Sequence, residues 1–157
     1  MRNYIEVKTV QSAQSAAVKA SFALTDRVAG VLFDDLTCTA AAVGLDGDTK
    51  HTWASQVIDV HLAAPTRRPF TVTASGSINA IGAANASARI SVGGQTTVRE
   101  VRSRTEMREM TTGLKLHVKR SSQPRDRLRV LLWVEANSEA AGAQASAAID
   151  SCDIQAK

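Results

Sequence analysis

Aromatic residues make up only 4% of this 157-residue chain, which excludes a core assembled around large rings. Ala, Val and Ser supply much of the volume instead, and small, partly β-branched side chains suit closely packed sheets. Cysteine is nearly absent: Cys38 and Cys152 are the two present, and neither belongs to a CxxC pair. Zinc-finger chemistry is thereby excluded. The two cysteines fall on the third and last expected strands, which leaves open a disulfide or two separate buried thiols. No run of about 18 apolar residues occurs, so no helix of that kind spans a membrane. The opening MRNYIEVKTV alternates polar and apolar residues and lacks the apolar core of a secretory leader. The expected location is the cytoplasm at synthesis or a virion, and extracellular only if a leader was removed.

Catalytic signatures are missing too. The sequence has no GxSxG, HExxH, GxxxxGK[ST] or GxGxxG, and the Lys of GLDGDTKH (44–51) stands at the wrong spacing for a phosphate loop. His51, His61 and His117 sit on different expected strands, without a second histidine or a cysteine at ligand spacing. Neighbouring strand residues point to opposite faces, so Asp34 and Asp35 cannot both reach one calcium ion directly. Asp46 and Asp48 read as turn formers. The chain is expected to be no enzyme and to need no cofactor or metal.

Alternation of period two dominates what is present. Val18, Ala20, Phe22 and Leu24 share one register; so do Ala54, Ile58, Val60 and Leu62, and Leu128, Val130, Leu132 and Val134. Turn residues at 44–48, Pro65 and Pro69, Gly93-Gly94 and SSQPRD punctuate these runs. Only residues 11–17 and 104–110 (RTEMREM) read as short helical turns. AGVLFDDLTCTA (29–40) and ASAAIDSCDIQA (145–156) echo one another, as two strands in similar settings. The expectation is all-β: a single antiparallel β-sandwich, jelly-roll-like, of about nine strands and at most two helical turns. One domain over 1–157 is expected, with N-terminal strands in 1–43 and the main sandwich strands in 51–157.

Charge is unevenly spread. Residues 1–64 carry five bases against seven acids, 65–138 thirteen against five, and 139–157 one against three. Arg99, Arg102, Arg104, Arg108, Lys115 and Lys119 form the candidate basic patch, either a solvated face or a surface for an anionic partner. Nucleic-acid readers interleave stacking aromatics with such bases. Here Glu100, Glu106 and Glu109 intrude instead, which argues against nucleic acid.

The candidate binding residues lie on two polar registers. Trp53 shares its register with Asp59 and His61, and Trp133 with Arg127 and Arg129. Outward-facing indoles mark contact surfaces unless a loop or a second sheet covers them.

GVLFDDLTCTA (30–40) resembles the closing strand of jelly-roll carbohydrate-binding modules: an aromatic, two aspartates, then alternating apolar residues. AIDSCDIQ (148–155) is similar. The resemblance implies a jelly-roll-like sandwich, and sugar binding through exposed aromatics, for which Trp53 and Trp133 qualify. It departs from that family in placing its best match, Phe33–Asp35, near the start of the chain.

Two roles follow as expectations. One is a non-catalytic subunit that packs with itself or with other protein chains, as in a virion coat, decoration or tail component. The other is a secreted or cell-surface carbohydrate-binding module with a glycan as partner.

Overall fold

The computed structural model describes residues 7–10, 18–22, 30–33, 38–43, 50–104, 106–111 and 113–156. The described residues form twelve strands: β1 (Val7–Val10), β2 (Val18–Phe22), β3 (Gly30–Phe33), β4 (Cys38–Val43), β5 (Lys50–Thr66), β6 (Phe70–Ile81), β7 (Ala84–Val92), β8 (Gln95–Ser103), β9 (Met107–Thr111), β10 (Leu114–Val118), β11 (Arg125–Ser138) and β12 (Gln144–Ala156). The all-β expectation holds.

The strands build two six-stranded sheets. The first runs β1-β5-β11-β7-β8, with β2 also on β5; the second runs β10-β6-β12-β3, with β4 also on β12 and β9 also on β6. Pairing is antiparallel except that β1 and β2 lie parallel along β5. The chain changes sheet between β2 and β3, β4 and β5, β5 and β6, β6 and β7, β8 and β9, β10 and β11, and β11 and β12. Across the core β4 faces β5 and β11, and β6 and β12 face β7. β7 and β8 make a hairpin within one sheet, closed at Gly93 with φ of 60°, a backbone region that glycine enters without a Cβ clash.

β3 and β4 lie one after the other along β12. The expected helical turn at 104–110 gives way to β9, whose Met107–Thr111 pair with Ile81–Ser77. A one- or two-turn helix is marginal in water, whereas the open edge of β6 offers its backbone groups partners. The other helical segment, 11–17, lies outside the described residues. The two echoing segments turn out to be hydrogen-bonded neighbours, Cys152 opposite Phe33 and Ile149 opposite Cys38.

The alternation places one register of each long strand inside. Phe70, Ile58, Ile78, Ile90, Leu114, Leu132, Ile149 and Ile154 are the largest fully buried side chains. Near the β6–β7 link the core turns to alanine, with Ala80, Ala84, Ala86, Ala88, Ala136, Ala145 and Ala147 all buried. Such short side chains let the two sheets close in there. Buried hydroxyls tie the layers together. Thr52 Oγ1 donates to the Ala41 carbonyl at 2.8 Å, and Ser138 Oγ donates to that of Ala143 at 2.7 Å.

Candidate functional site

The six candidate binding residues come onto one surface, the outer face of the first sheet. Strand pairing sets Arg127 opposite His61, Arg129 opposite Asp59, Trp133 opposite Ser55 and Glu135 opposite Trp53. Leu131 and Val57 separate the charged group from the tryptophans. Trp53 and Trp133 are diagonal neighbours whose rings stack, with centroids 4.6 Å apart and planes 6° from parallel. From β7, opposite Trp133, the Arg89 guanidinium lies 4.8 Å from the Trp133 ring centre. Because β11 runs between β5 and β7, the order across the sheet is Trp53, Trp133, Arg89. A guanidinium over an indole is attracted by the negative ring face. Both indoles are half-buried, so they face outward but cover one another. Trp133 Nε1 is buried without an acceptor among the described residues.

His51 pairs with Glu135 beside this stack. At the other end of the face Arg129 Nε donates to Asp59 Oδ1 at 2.9 Å. That hydrogen bond is the main reason the Asp59 carboxyl is held below the usual carboxylate range, against an opposing push from burial. The charges of Arg129, Arg127 and His61 add to it. Arg89 was not singled out from sequence, although the same alternation places it on this face.

The expected basic patch does not form as one surface. Arg102 and Arg108 collect where β8 and β9 meet, around an open groove of about 530 Å³ that is also lined by Glu100, Glu106, Glu109, Met107 and Met110, while Arg104 lines a second hollow of about 400 Å³ with Arg102, Glu106 and Arg108. Arg102 pairs with Glu100 at 3.5 Å and Arg108 with Glu106 at 2.9 Å. The interleaved glutamates thus neutralise much of the positive field. Arg99, also on β8, is exposed. Lys115 lies beside β8, its carbonyl accepting a bond from Thr97 Oγ1 at 3.3 Å, but on the outer face of the second sheet, in a shallow polar hollow of about 170 Å³ with Thr71, Thr73, Asp153 and Gln155. Lys119 follows β10, and its carbonyl accepts a bond from Arg125.

That second outer face is mostly hydroxyl and amide: Thr71, Thr73, Ser75, Ser77 and Asn79 alternate along β6. One transverse row breaks the pattern. Val43 stands opposite Gln144, Gln144 opposite Ile81, and Ile81 opposite Met107. Val43 is 38% exposed, Ile81 39% and Met107 62%.

No disulfide forms between Cys38 and Cys152, and both are buried thiols. On β12, Cys38 is level with Ile149, three residues from Cys152. At about 3.4 Å per residue this separates them by roughly 10 Å, beyond the reach of a disulfide. Burial pushes both thiols up to about 12. The two aspartate pairs, Asp34-Asp35 and Asp46 with Asp48, lie outside the described residues.

No family model matches the chain, and no curated protein matches its sequence. Several solved structures are similar in fold. A structure of infectious bursal disease virus, Gt strain, is 15% identical with a TM-score of 0.39 over 83% of this chain and 33% of that one. The VP2 subviral particle of the same virus is 13% identical with a TM-score of 0.35, over 83% and 32%. The module TmCBM61, solved in complex with β-1,4-galactotriose, is 16% identical with a TM-score of 0.38, over 83% and 88%. The chain spans about a third of the length of the viral chains. A carbohydrate-binding module is thus among the structures this chain is similar to, as the sequence resemblance implied.

Proposed function

We propose that this chain is a non-catalytic subunit of a multi-chain assembly, in its specific form a virion coat, decoration or tail component. The observation that carries the reading is the exposed row of Val43, Ile81 and Met107 across the second sheet. Single exposed apolar residues are ordinary on any protein surface, but several aligned across neighbouring strands on an otherwise polar face form a patch that a partner would cover. The tryptophans point the same way. Trp133 lies between Trp53 and Arg89, so it has no open ring face for a sugar to stack on, while ring edges beside Arg89 and Glu135 suit a protein contact.

Light scattering on the purified chain at low and high salt, together with recovery of bound chains from the native source, tests this. Association with itself or with a defined protein set is expected. A monomer at high concentration with no co-purifying chain overturns it.

Carbohydrate binding is the second reading. The polar hollow around Lys115, Asp153 and Gln155 supports it, since its donors and acceptors match sugar hydroxyls. A panel of neutral and acidic glycans, titrated against the wild type and Lys115→Ala, tests it. The absence of any saturable response would remove it.

A further inference from the structure

Going a step beyond the carbohydrate reading, on which this inference rests, we propose that one end of the sandwich binds an acidic polysaccharide, a chain of sugars bearing sulfate or carboxylate groups. Two links cross between the sheets at that end. Residues 67–69 join β5 to β6, and residues 119–124 join β10 to β11. Both connect the same paired positions: Thr66 stands opposite Arg125 in the first sheet, and Phe70 opposite Val118 in the second. Hydrogen bonds tie the links to each other. The Ser121 amide donates to the Arg67 carbonyl at 3.1 Å, and Arg125 Nη2 donates to the carbonyls of Arg68 at 3.0 Å and Lys119 at 3.3 Å. The Arg125 guanidinium also lies 5.0 Å from the Phe70 ring centre. Pro69 and Pro124 stiffen the two links further.

The joined links are strongly basic. Residues 67–69 and 119–127 hold Arg67, Arg68, Lys119, Arg120, Arg125 and Arg127 against the single acid Asp126. Arg67, Lys119 and Arg120 are exposed, and their side chains make no ion pair among the described residues. The β8–β9 groove differs in this respect, since Arg102 and Arg108 are each held by a glutamate. A fixed cluster of guanidinium groups without carboxylate partners attracts anions and offers their oxygens paired donors.

The neighbouring surface selects a sugar chain among anions. One residue beyond Phe70 on β6, Thr71 lies between His117 and Gln155, and then Thr73 lies between Lys115 and Asp153. These rows contain the polar hollow, which therefore adjoins the basic end. Along β10 the two surfaces run together, with Lys115, His117 and Lys119 all exposed. A ligand that covers both carries anionic groups and hydroxyls on one chain. Single-stranded nucleic acid fits less well, because its bases stack on exposed rings. The ring at this end, Phe70, is fully buried.

Titration calorimetry of the full chain with a heparin oligosaccharide, a thymidine oligonucleotide and a neutral glycan panel tests the assignment. Saturable heparin binding that weakens as salt rises from about 0.05 to about 0.5 M is expected, with weaker binding of the oligonucleotide. Arg67→Gln combined with Arg120→Gln is expected to raise the heparin dissociation constant roughly tenfold or more. Arg102→Gln combined with Arg108→Gln is expected to leave it unchanged. Thr73→Val removes one hydroxyl from the hollow and is expected to raise it about fivefold. All five positions are exposed, where substitution costs little stability. Heparin binding that survives the loss of Arg67 and Arg120, or that falls equally in the groove variant, overturns the inference. An oligonucleotide bound as tightly as heparin, or a Thr73→Val variant without effect, overturns it too, by making this end a site for any polyanion. Failure of heparin beside saturable binding of a neutral glycan overturns the inference alone; failure of every glycan removes the carbohydrate reading with it.

Discussion

Gly76 lies opposite Ile149 at a shift in the β6–β12 register, where the backbones come so close that a Cβ on Gly76 would stand 2.0 Å from the Ala148 carbonyl oxygen. The blocking atoms are backbone, so neither strand relieves the contact by rotating a side chain. Gly76→Ala is expected to destabilise the protein by about 2–3 kcal/mol, read as a lower denaturant midpoint at an unchanged m-value. Wild-type stability in this variant would show that the strands separate there without cost.

The stacked indoles give a second prediction. Trp53→Ala and Trp133→Ala should each destabilise, and the double variant should lose less than their sum. The coupling is expected to be about 1 kcal/mol, the usual scale for an aromatic pair. Simple additivity would mean that the rings do not touch in solution.

Asp59 makes stability depend on acid. Because Arg129 holds the folded-state carboxyl below its usual value, this contribution is complete above the unfolded value near 3.9. It is lost as pH falls through the folded value. Asp59→Asn is therefore expected to melt below the wild type at pH 7, with the gap closing below about pH 4. A gap that stays constant down to pH 2 would assign the difference to packing rather than to the ion pair.

The buried thiols act at the opposite end of the scale. With both raised to about 12, the folded state keeps two protons that an unfolded chain releases from about pH 9 upward. Stability should fall as pH rises from about 9 toward 12, and more steeply than in a Cys38→Ala, Cys152→Ala variant. Thiol reagents at pH 8 should modify neither cysteine until the protein unfolds. Rapid labelling of the native protein would contradict this.

Much of the fold was legible because period-two alternation is an intrinsically local signal: Ile58, Val60 and Leu62 announce their shared face without knowledge of any neighbour. The same logic placed Trp53, Asp59, His61, Arg127, Arg129 and Trp133 outward, and pairing of β5 with β11 then brought them together. What alternation does not encode is which strands adjoin. Arg89 on β7 carries no mark in the sequence that it will meet Trp133 on β11, 44 residues later. The basic patch failed for the same reason, since counting bases along the chain cannot show that Lys115 and Arg108 lie on different parts of the surface. The strand at 107–111 was hidden by its short length. Its conformation is decided by the waiting edge of β6 rather than by its own residues.

The placement of β12 has a consequence for how the molecule comes into being. This strand, late in the chain, forms the middle of the second sheet, hydrogen-bonded to β6 on one edge and to β3 and β4 on the other. Until it is synthesised, β3 and β4 have no sheet to join, and β6 shows an unfilled edge to the cell. Closure must wait for contacts between residues more than a hundred positions apart, the kind of topology that folds slowly and exposes its edges meanwhile. Shielding those edges during synthesis would then matter as much to the yield of native protein as the strength of the finished core.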